Sequence, residues 1–143
     1  MKSCTFFGHR DCPSHVFPLL RAAVEQAILQ DGVDTFYVGR ERRFDEMAAK
    51  ILSEMVEKYP HVRFFVVLAY LPRTPLAGEL QKRTILADGV EEAPRRFAVS
   101  RRNDWMLERA DAVIAYVRCS FGGAATFLQK ARKKGKHIVN LAV

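Results

Sequence analysis

Residues 63–71 contain the longest apolar run of the chain, from Phe64 to Leu71, and polar side chains do not alternate with apolar ones along it. A strand of this kind is typical of the centre of a parallel sheet, where helices cover both faces. The run is far shorter than the ~20 apolar residues that a membrane-spanning helix requires. We therefore expect an α/β fold and no membrane partner.

Strand-like and helix-like patterns alternate along the rest of the chain. Strands are predicted at residues 2–7, 35–38, 63–71, 97–99, 112–117 and 137–141, and helices from Val16 to near residues 31–32 and at 44–59, 101–110 and 122–134. Repeated βα units favour a Rossmann-like three-layer sandwich, whose mostly parallel sheet of about five or six strands is flanked by helices. A length of 143 residues favours a single domain over residues 1–143.

Residues 72–94 are the least regular part of the sequence and are rich in proline and glycine. They contain one predicted helical turn at most. A connection of this length is commonly functional or mobile, so a lid is one interpretation of the segment.

The composition excludes several classes of protein. With 49% hydrophobic and 27% charged residues, the chain is typical of an ordinary globular protein. Three cysteines without a secretion signal argue against a disulfide framework, and we expect a soluble, cytoplasmic protein. His9 and His15 flank Cys12, but no cysteine pair has the spacing of zinc ligands. No metal and no cofactor are predicted.

The net charge of +7 favours an anionic partner, which could be a phosphorylated small molecule, a nucleic acid or a membrane surface. The basic residues form three clusters: Arg40, Arg42 and Arg43; Arg95, Arg96, Arg101 and Arg102; and Lys130, Arg132, Lys133, Lys134 and Lys136. The third cluster coincides with the predicted end of a helix, where cations complement the negative end of the dipole.

Ligands of open parallel sheets bind beyond the carboxyl ends of the strands, so the strand-to-helix turns are the first places to search. The first turn contains Gly8, His9 and Arg10. Glycine lets a ligand approach the backbone, amides at a helix start bind anions, and Arg10 could add a bidentate phosphate contact. The alternative is a tight turn with Asp11 as a helix cap.

The second turn runs from Gly39 to Asp45 and includes the first arginine cluster. Asp45 is placed to cap the following helix. The arginines could face a ligand, or they could lie on the surface.

The third turn contains Ser120, Gly122, Gly123 and Thr126 and lies between a buried strand and a helix, which is the context in which a glycine pair is informative. Ser120 is a candidate N-cap or a candidate phosphate donor. The glycine pair either approaches a phosphate or only permits close packing of helix on sheet.

Arg101 and Arg102 open the predicted helix at residues 101–110, with Asn103 next to them. Cations at the positive end of a helix are unfavourable by roughly 0.3–1 kcal/mol each, and a bound anion would reverse that sign. The alternative is that the arginines bend away or pair with Glu91 or Glu92. Trp105 could stack on a base, but a core position is the preferred interpretation.

Taken together, these motifs resemble the SLOG superfamily, and the resemblance extends from Cys4 to Leu141. The motifs that carry it are Gly8-His9-Arg10, Phe44-Asp45, Arg102-Asn103, Trp105-Met106, Ala110-Asp111-Ala112 and Gly122-Gly123. The superfamily is Rossmann-like and includes the "lonely guy" phosphoribohydrolases, the DNA-processing protein A family and domains that sense nucleotide-derived ligands. Small bacterial members are the closest match. The resemblance implies a nucleotide-type ligand and a homo-oligomer.

The phosphoribohydrolase branch has an arginine nine residues before a conserved aspartate, followed by Pro-Gly-Gly-x-Gly-Thr-x-x-Glu. Arg102 precedes Asp111 by nine residues and resembles that arginine, the catalytic residue that the branch implies. Gly122, Gly123 and Thr126 resemble the Gly-Gly and Thr. The chain departs from the pattern at three positions, Phe121 for proline, Ala125 for the third glycine and Gln129 for the catalytic glutamate.

Glutamine cannot act as a general base, which argues against hydrolysis by the family's mechanism. The turn after the second strand is also usually glycine-rich in small SLOG proteins, whereas Arg40, Glu41 and Arg42 occupy it here.

Three functions follow from these observations. The first is binding, or sensing, of a nucleotide or nucleotide-derived ligand at the carboxyl edge of the sheet. The second is N-glycosidase activity on a nucleoside monophosphate-like substrate, in which another acid, Glu108, Asp11 or Asp45, would replace the glutamate. The third is binding of DNA or RNA, for which the sequence contains no recognised base-reading motif.

Overall fold

The computed structural model describes residues 1–40, 42–70, 83–87 and 94–142. Its strands are β1 (Ser3–Gly8), β2 (Thr35–Val38), β3 (Arg63–Leu68), β4 (Thr84–Leu86), β5 (Ala112–Tyr116) and β6 (His137–Asn140). The helices in the described ranges are α1 (Val16–Leu29), α2 (Arg43–Lys58), α3 (Arg95–Arg109) and α4 (Gly123–Lys133). The six strands form one parallel sheet in the order β4-β3-β2-β1-β5-β6. The predicted Rossmann-like α/β fold is confirmed.

Side chains alternate between the two faces of the sheet and build a core on each face. Along β1, Cys4 and Phe6 join the core that α1 and α2 cover, whereas Phe7 joins the core of α3 and α4. This alternation follows from the two-residue repeat of an extended strand. β1 is buried along its whole length, as expected for a strand that helices cover on both sides.

Helix α2 illustrates how the local sequence sets an element. Its buried side chains recur at helical spacing and are Phe44, Asp45, Met47, Ala48, Ile51, Leu52 and Met55. The helix ends at Lys58 because Pro60 restricts Tyr59, which adopts an extended conformation. The predicted helix at residues 44–59 therefore agrees with the structure to within one residue at each end.

The strand predicted at residues 97–99 is wrong, because these residues belong to α3, which begins at Arg95 and not at residue 101. The buried positions of α3 are spaced as in a helix and are Ala98, Arg102, Asn103, Met106 and Leu107. Two of them are polar, so the apolar pattern of the first half of α3 was too incomplete to predict a helix.

Strand β4 was not predicted. It is a three-residue edge strand that pairs with β3, and it falls within the segment that was interpreted as irregular. Strand β3 is shorter than predicted and ends at Leu68. Most of residues 72–94, including Glu91 and Glu92, lie outside the described residues, so the interpretation of this segment as a lid and the ion pairs predicted with these glutamates stay predictions.

Within the described ranges, no helix combines the length and the apolar character that are needed to cross a lipid bilayer.

Candidate functional site

The order of the strands reverses direction at β1, which pairs with β2 on one side and with β5 on the other. Open α/β sheets bind ligands in the crevice beyond the carboxyl ends of the strands at such a switch point. Gly8, the last residue of β1, is in register with Tyr116, the last residue of β5. The loops that follow these two residues therefore form the walls of the candidate site.

An open cavity of about 430 Å³ lies between the two loops. Its lining residues are His9, Arg10 and Asp11 after β1, and Arg118 and Cys119 after β5. Small-molecule sites have volumes of roughly 300–1,000 Å³, so the cavity has the size of a ligand site. Predicted site residues His9 and Arg10 both lie here.

Two hydrogen bonds of His9 connect the loop after β1 to the loop after β5. Its backbone N–H donates to the carbonyl of Tyr116 at 3.2 Å, and its ring Nε2 accepts the backbone N–H of Arg118 at 2.7 Å. Partial burial lowers the pKa of His9, and the guanidinium groups of Arg118 and Arg42 lower it further. A neutral ring is the form that accepts at Nε2. The positive charge of the cavity therefore comes from Arg10 and Arg118.

A narrow cleft lies beside the open cavity, at the end of β1. It brings together four predicted site residues and one further arginine: Gly8, Asp45, Arg102, Asn103 and Arg42. The cleft has a volume of about 10 Å³, which is room for roughly one water molecule. As the side chains stand, a nucleotide does not fit inside it.

Arg102 is 2% exposed, and its guanidinium forms hydrogen bonds to other groups of the protein. Its Nη1 donates to the carbonyl of Val67 at 2.9 Å and its Nε to Oδ1 of Asn103 at 2.8 Å. Gly39 accommodates the guanidinium, because a Cβ at position 39 would lie 2.8 Å from Nη1. Arg102 lies in the middle of α3, so the prediction that it opens a helix, and the dipole argument built on that position, are wrong. Contact between Arg102 and a ligand stays a prediction.

Arg42 lines the cleft, although it was absent from the predicted site residues. Its Nη1 donates to the carbonyl of Gly8 at 3.0 Å, and its Nη2 lies 3.0 Å from the point where a Cβ on Gly123 would be. Of the carboxylates in the described residues, none forms an ion pair with Arg42. The guanidinium therefore spans the gap between the end of β1 and the start of α4. The arginine cluster after β2 was the signal in the sequence, but it did not distinguish Arg42 from Arg43.

The glycine pair forms the start of α4. Gly122 is the N-cap, with a φ of 96° and a ψ of 171°, a conformation open almost only to glycine. The prediction of Ser120 as N-cap is wrong, because Ser120 lies two residues earlier and is exposed. Thr126 is exposed as well, and its hydroxyl donates to the carbonyl of Gly122 at 3.0 Å.

The two aspartates predicted as caps lie elsewhere. Asp45 is in the first turn of α2, three residues after the N-cap Arg42, where a carboxylate complements the helix dipole. It is 6% exposed and lines the narrow cleft. Asp11 lies four residues before the N-cap of α1, which is His15, because the loop after β1 is longer than a tight turn. Asp11 lines the open cavity instead.

The remaining candidate residues line neither the cleft nor the open cavity. Gln129 is exposed on α4 and Glu108 is exposed on α3, and neither lines the cleft or the open cavity. Trp105 packs edge-on against Tyr37, with 5.5 Å between ring centroids, so its predicted packing against the core is confirmed. In the part of the chain that the structure describes, no group of three or more His, Cys, Asp or Glu side chains could hold a metal ion.

Comparison with known proteins adds no relative to this description. No protein-family model matches the sequence, and the search of curated proteins yields no match. The resemblance to the SLOG superfamily therefore stays a prediction that rests on the motifs of the chain.

Proposed function

We propose that the chain binds a nucleotide or nucleotide-derived ligand at the carboxyl edge of its sheet. In this proposal the phosphate lies beside Arg42 at the start of α4, and the rest of the ligand extends into the open cavity between the loops after β1 and β5. The observation that carries the proposal is the guanidinium of Arg42, which lies against Gly8 and Gly123 with no carboxylate of the described residues paired to it.

Electrostatics supports an anion at this point. The start of a helix presents free N–H groups and a partial positive charge, so a cation held there is unfavourable by roughly 0.3–1 kcal/mol. A phosphate would accept hydrogen bonds from both the guanidinium and the amides and would reverse that sign. Arg10 and Arg118 line the adjoining cavity and add positive charge.

The volumes of the cleft and the open cavity support different roles for them in this proposal. The narrow cleft of about 10 Å³ excludes a sugar or a base, whereas the open cavity of about 430 Å³ can accept both. Arg42 lines the cleft and lies near α4, so it would contact the phosphate without any opening of the buried cluster around Arg102.

Isothermal titration calorimetry with mono- and dinucleotides, cyclic nucleotides, NAD and ADP-ribose tests the proposal. The decisive variant is Arg42→Ala, and its matched control is Arg43→Ala, which removes the same charge from an exposed side chain that donates to Ser14 Oγ. Hydrogen bonds to charged groups contribute about 1.5–3 kcal/mol, so Arg42→Ala should weaken binding by roughly ten- to a hundredfold. Arg43→Ala should bind like the wild type.

Two results would contradict the proposal. One is the absence of binding by every compound up to millimolar concentration. The other is equal loss in Arg42→Ala and Arg43→Ala, which would indicate a general response to net charge and no specific phosphate site.

Asp45 favours a second candidate function, hydrolysis of an N-riboside. Its carboxylate is buried and lines both the narrow cleft and a second open cavity of about 360 Å³, which has room for a sugar, and it is one of the acids that could replace the missing glutamate. In such a reaction water attacks the anomeric carbon, the bond to the base breaks, and the proton that the water loses goes to the leaving base, while the carboxylate stabilises the positive charge that develops on the sugar.

Chromatography of free base after incubation with nucleoside monophosphates tests this candidate. Release of base by the wild type and its loss in Asp45→Asn, with nucleotide binding retained, would support it. Equal release by both proteins, or none by either, would remove it.

The distribution of charge argues against nucleic acid as the main partner. Parallel strands and the helices between them run in opposite directions, so the two ends of α4 lie at opposite edges of the sheet. Arg42 lies near its start, whereas the cluster from Lys130 to Lys136 lies at its end. Among the described residues, these two groups of basic side chains therefore do not form one continuous stripe. Binding of DNA or RNA whose affinity falls steeply with salt would contradict this conclusion.

A further inference from the structure

Phe121 is the most exposed aromatic side chain in the described residues. It is 76% exposed, whereas the next most exposed phenylalanine, Phe97, is 50% exposed. A single exposed apolar residue needs no explanation by itself, so its place in the loop decides whether it carries meaning. Phe121 lies between Cys119, which lines the open cavity, and Gly123, which begins α4.

Hydrogen bonds on both sides fix the loop that carries Phe121. Before it, the backbone N–H of Arg118 donates to His9, and the thiol of Cys119 donates to the carbonyl of Phe121 at 3.4 Å. After it, the carbonyl of Gly122 accepts both the backbone N–H and the hydroxyl of Thr126 at 3.0 Å. The backbone on which the ring is mounted is therefore ordered without a ligand, which reduces the entropy that a ligand would lose in ordering it.

Phe121 is only two residues from Gly123, beside which the proposed phosphate would lie. Consecutive Cα atoms are 3.8 Å apart, so the Cα atoms of Phe121 and Gly123 are at most about 7.6 Å apart. Arg42 lies 3.0 Å from the point where a Cβ on Gly123 would be. The guanidinium of Arg42 thus lies against Gly123, two residues after the exposed ring of Phe121, so both groups are at the start of α4.

We propose that Phe121 is a specificity-determining residue, which stacks on the planar base of the ligand and so selects nucleotides over sugar phosphates that carry no base. This inference rests on the proposed function, because it takes the phosphate to lie at Arg42. The resemblance does not supply it, since the related motif has proline at this position. Every nucleobase has a π-face, so stacking selects for the presence of a base and not for its identity.

Calorimetric titration with AMP and with ribose 5-phosphate, on the wild type and on Phe121→Ala, tests the inference. We expect the wild type to bind AMP about tenfold more tightly than ribose 5-phosphate, the size of an ordinary base–aromatic stacking contribution. Phe121→Ala should lose that difference while its affinity for ribose 5-phosphate stays the same. Phe97→Ala, which removes the next most exposed phenylalanine ring, is the matched control and should bind both compounds like the wild type.

Phe121→Trp adds a direct signal. Stacking of the base on the new indole should quench its fluorescence when AMP is added, and ribose 5-phosphate should leave the fluorescence unchanged.

The outcomes separate the two proposals. If neither compound binds the wild type, the proposed phosphate site fails and the role of Phe121 fails with it. If both bind but Phe121→Ala leaves the preference for AMP unchanged, the phosphate site stands and the stacking role is refuted.

Discussion

Gly8 has no room for a side chain. A Cβ at this position would lie 2.4–2.7 Å from three atoms of Phe44, which is fully buried. Its φ is not positive, so the glycine is required by the close packing of α2 on β1 and not by an unusual backbone conformation. The ligand-approach role that the sequence suggested for Gly8 is therefore not needed to explain the residue.

We predict that Gly8→Ala destabilises the protein by about 1–3 kcal/mol, because Phe44 and the backbone must shift to admit the methyl group. Urea unfolding of Gly8→Ala, Phe44→Ala and the double variant would measure it. Two of the three colliding atoms belong to the ring of Phe44. The double variant should therefore lose less stability than the sum of the single variants, and strict additivity would contradict the packing explanation.

His9 makes folding pH-dependent in a defined direction. Its pKa lies below the ordinary value of 6.5 in the folded state. The unfolded chain therefore binds more protons between the folded pKa and 6.5, and stability rises with pH across that window. The stabilisation is fully present above 6.5 and is lost as pH falls through the window.

We predict that His9→Gln, whose amide oxygen can still accept the Arg118 N–H, removes this part of the pH dependence. The free energy of unfolding of both proteins, measured between about pH 5 and pH 8, gives the comparison, since carboxylates common to both proteins cancel. A constant difference between the two proteins across the range would show that His9 is not the titrating group.

At the scale of elements, the loop before α4 leads into the helix through two consecutive glycines. Gly122 and Gly123 are adjacent but have different reasons to be glycine. Gly122 has a φ that side chains rarely tolerate, whereas a Cβ on Gly123 would meet only the flexible end of Arg42. Alanine variants at the two positions therefore separate backbone strain from the mere loss of a glycine.

We predict that Gly122→Ala costs about 1–3 kcal/mol of stability because of backbone strain. Gly123→Ala should be close to neutral, since alanine is better than glycine within a helix. Thermal unfolding should show a melting temperature lowered by about 2–4 °C per kcal/mol for the first variant only. Equal losses in both variants would indicate that strain at Gly122 is not the cause.

Helix α3 buries two polar side chains whose burial has to be compensated by hydrogen bonds. Arg102 and Asn103 occupy buried positions where apolar residues would ordinarily lie. Burial of a guanidinium is tolerated because its N–H groups donate to Val67 and Asn103. The hydrogen bond to Val67 places the guanidinium near the end of β3, and Gly39, the residue after β2, lies against it at the candidate site.

For the whole molecule, the two cores share one sheet. Leu20 of α1 lies in the first core and Leu107 of α3 in the second, and both are buried. Strands such as β1 contribute side chains to both cores, so loss of either core exposes the sheet that supports the other. We therefore expect residues 1–143 to unfold as one cooperative domain.

Leu20→Ala and Leu107→Ala test this expectation. Each should cost about 2–5 kcal/mol, because each leaves a cavity in a close-packed core. Circular dichroism and calorimetry should give one coincident transition in both variants, with the melting temperature lowered in each. Two separable transitions, only one of which moves in each variant, would contradict a single cooperative domain.

The sequence by itself determined the class of fold and most of the elements. The apolar run in β3 and the helical spacing in α2 are local patterns, and they depend only on which face of an element is buried. The three glycine turns were also visible, because glycine and charge are properties of the residue itself. Arg102, Asn103 and Asp45 were therefore recognised as candidates, although Arg102 does not open its helix and Asp45 is not the N-cap of α2.

The tertiary structure decided where α3 begins, which residues meet and which arginine faces the site. Arg42 and Arg43 are neighbours with identical side chains, and only the position of Arg42 beside Gly8 and Gly123 distinguishes them. Gly8, Arg42 and Gly123 lie far apart in the sequence and meet because parallel strands return each following loop to the same edge of the sheet, and the long side chain of Arg102 reaches that edge from α3. Hydrophobic periodicity shows which face of one helix or strand is buried. The meeting of distant residues depends instead on the order of the strands and on the connections between them.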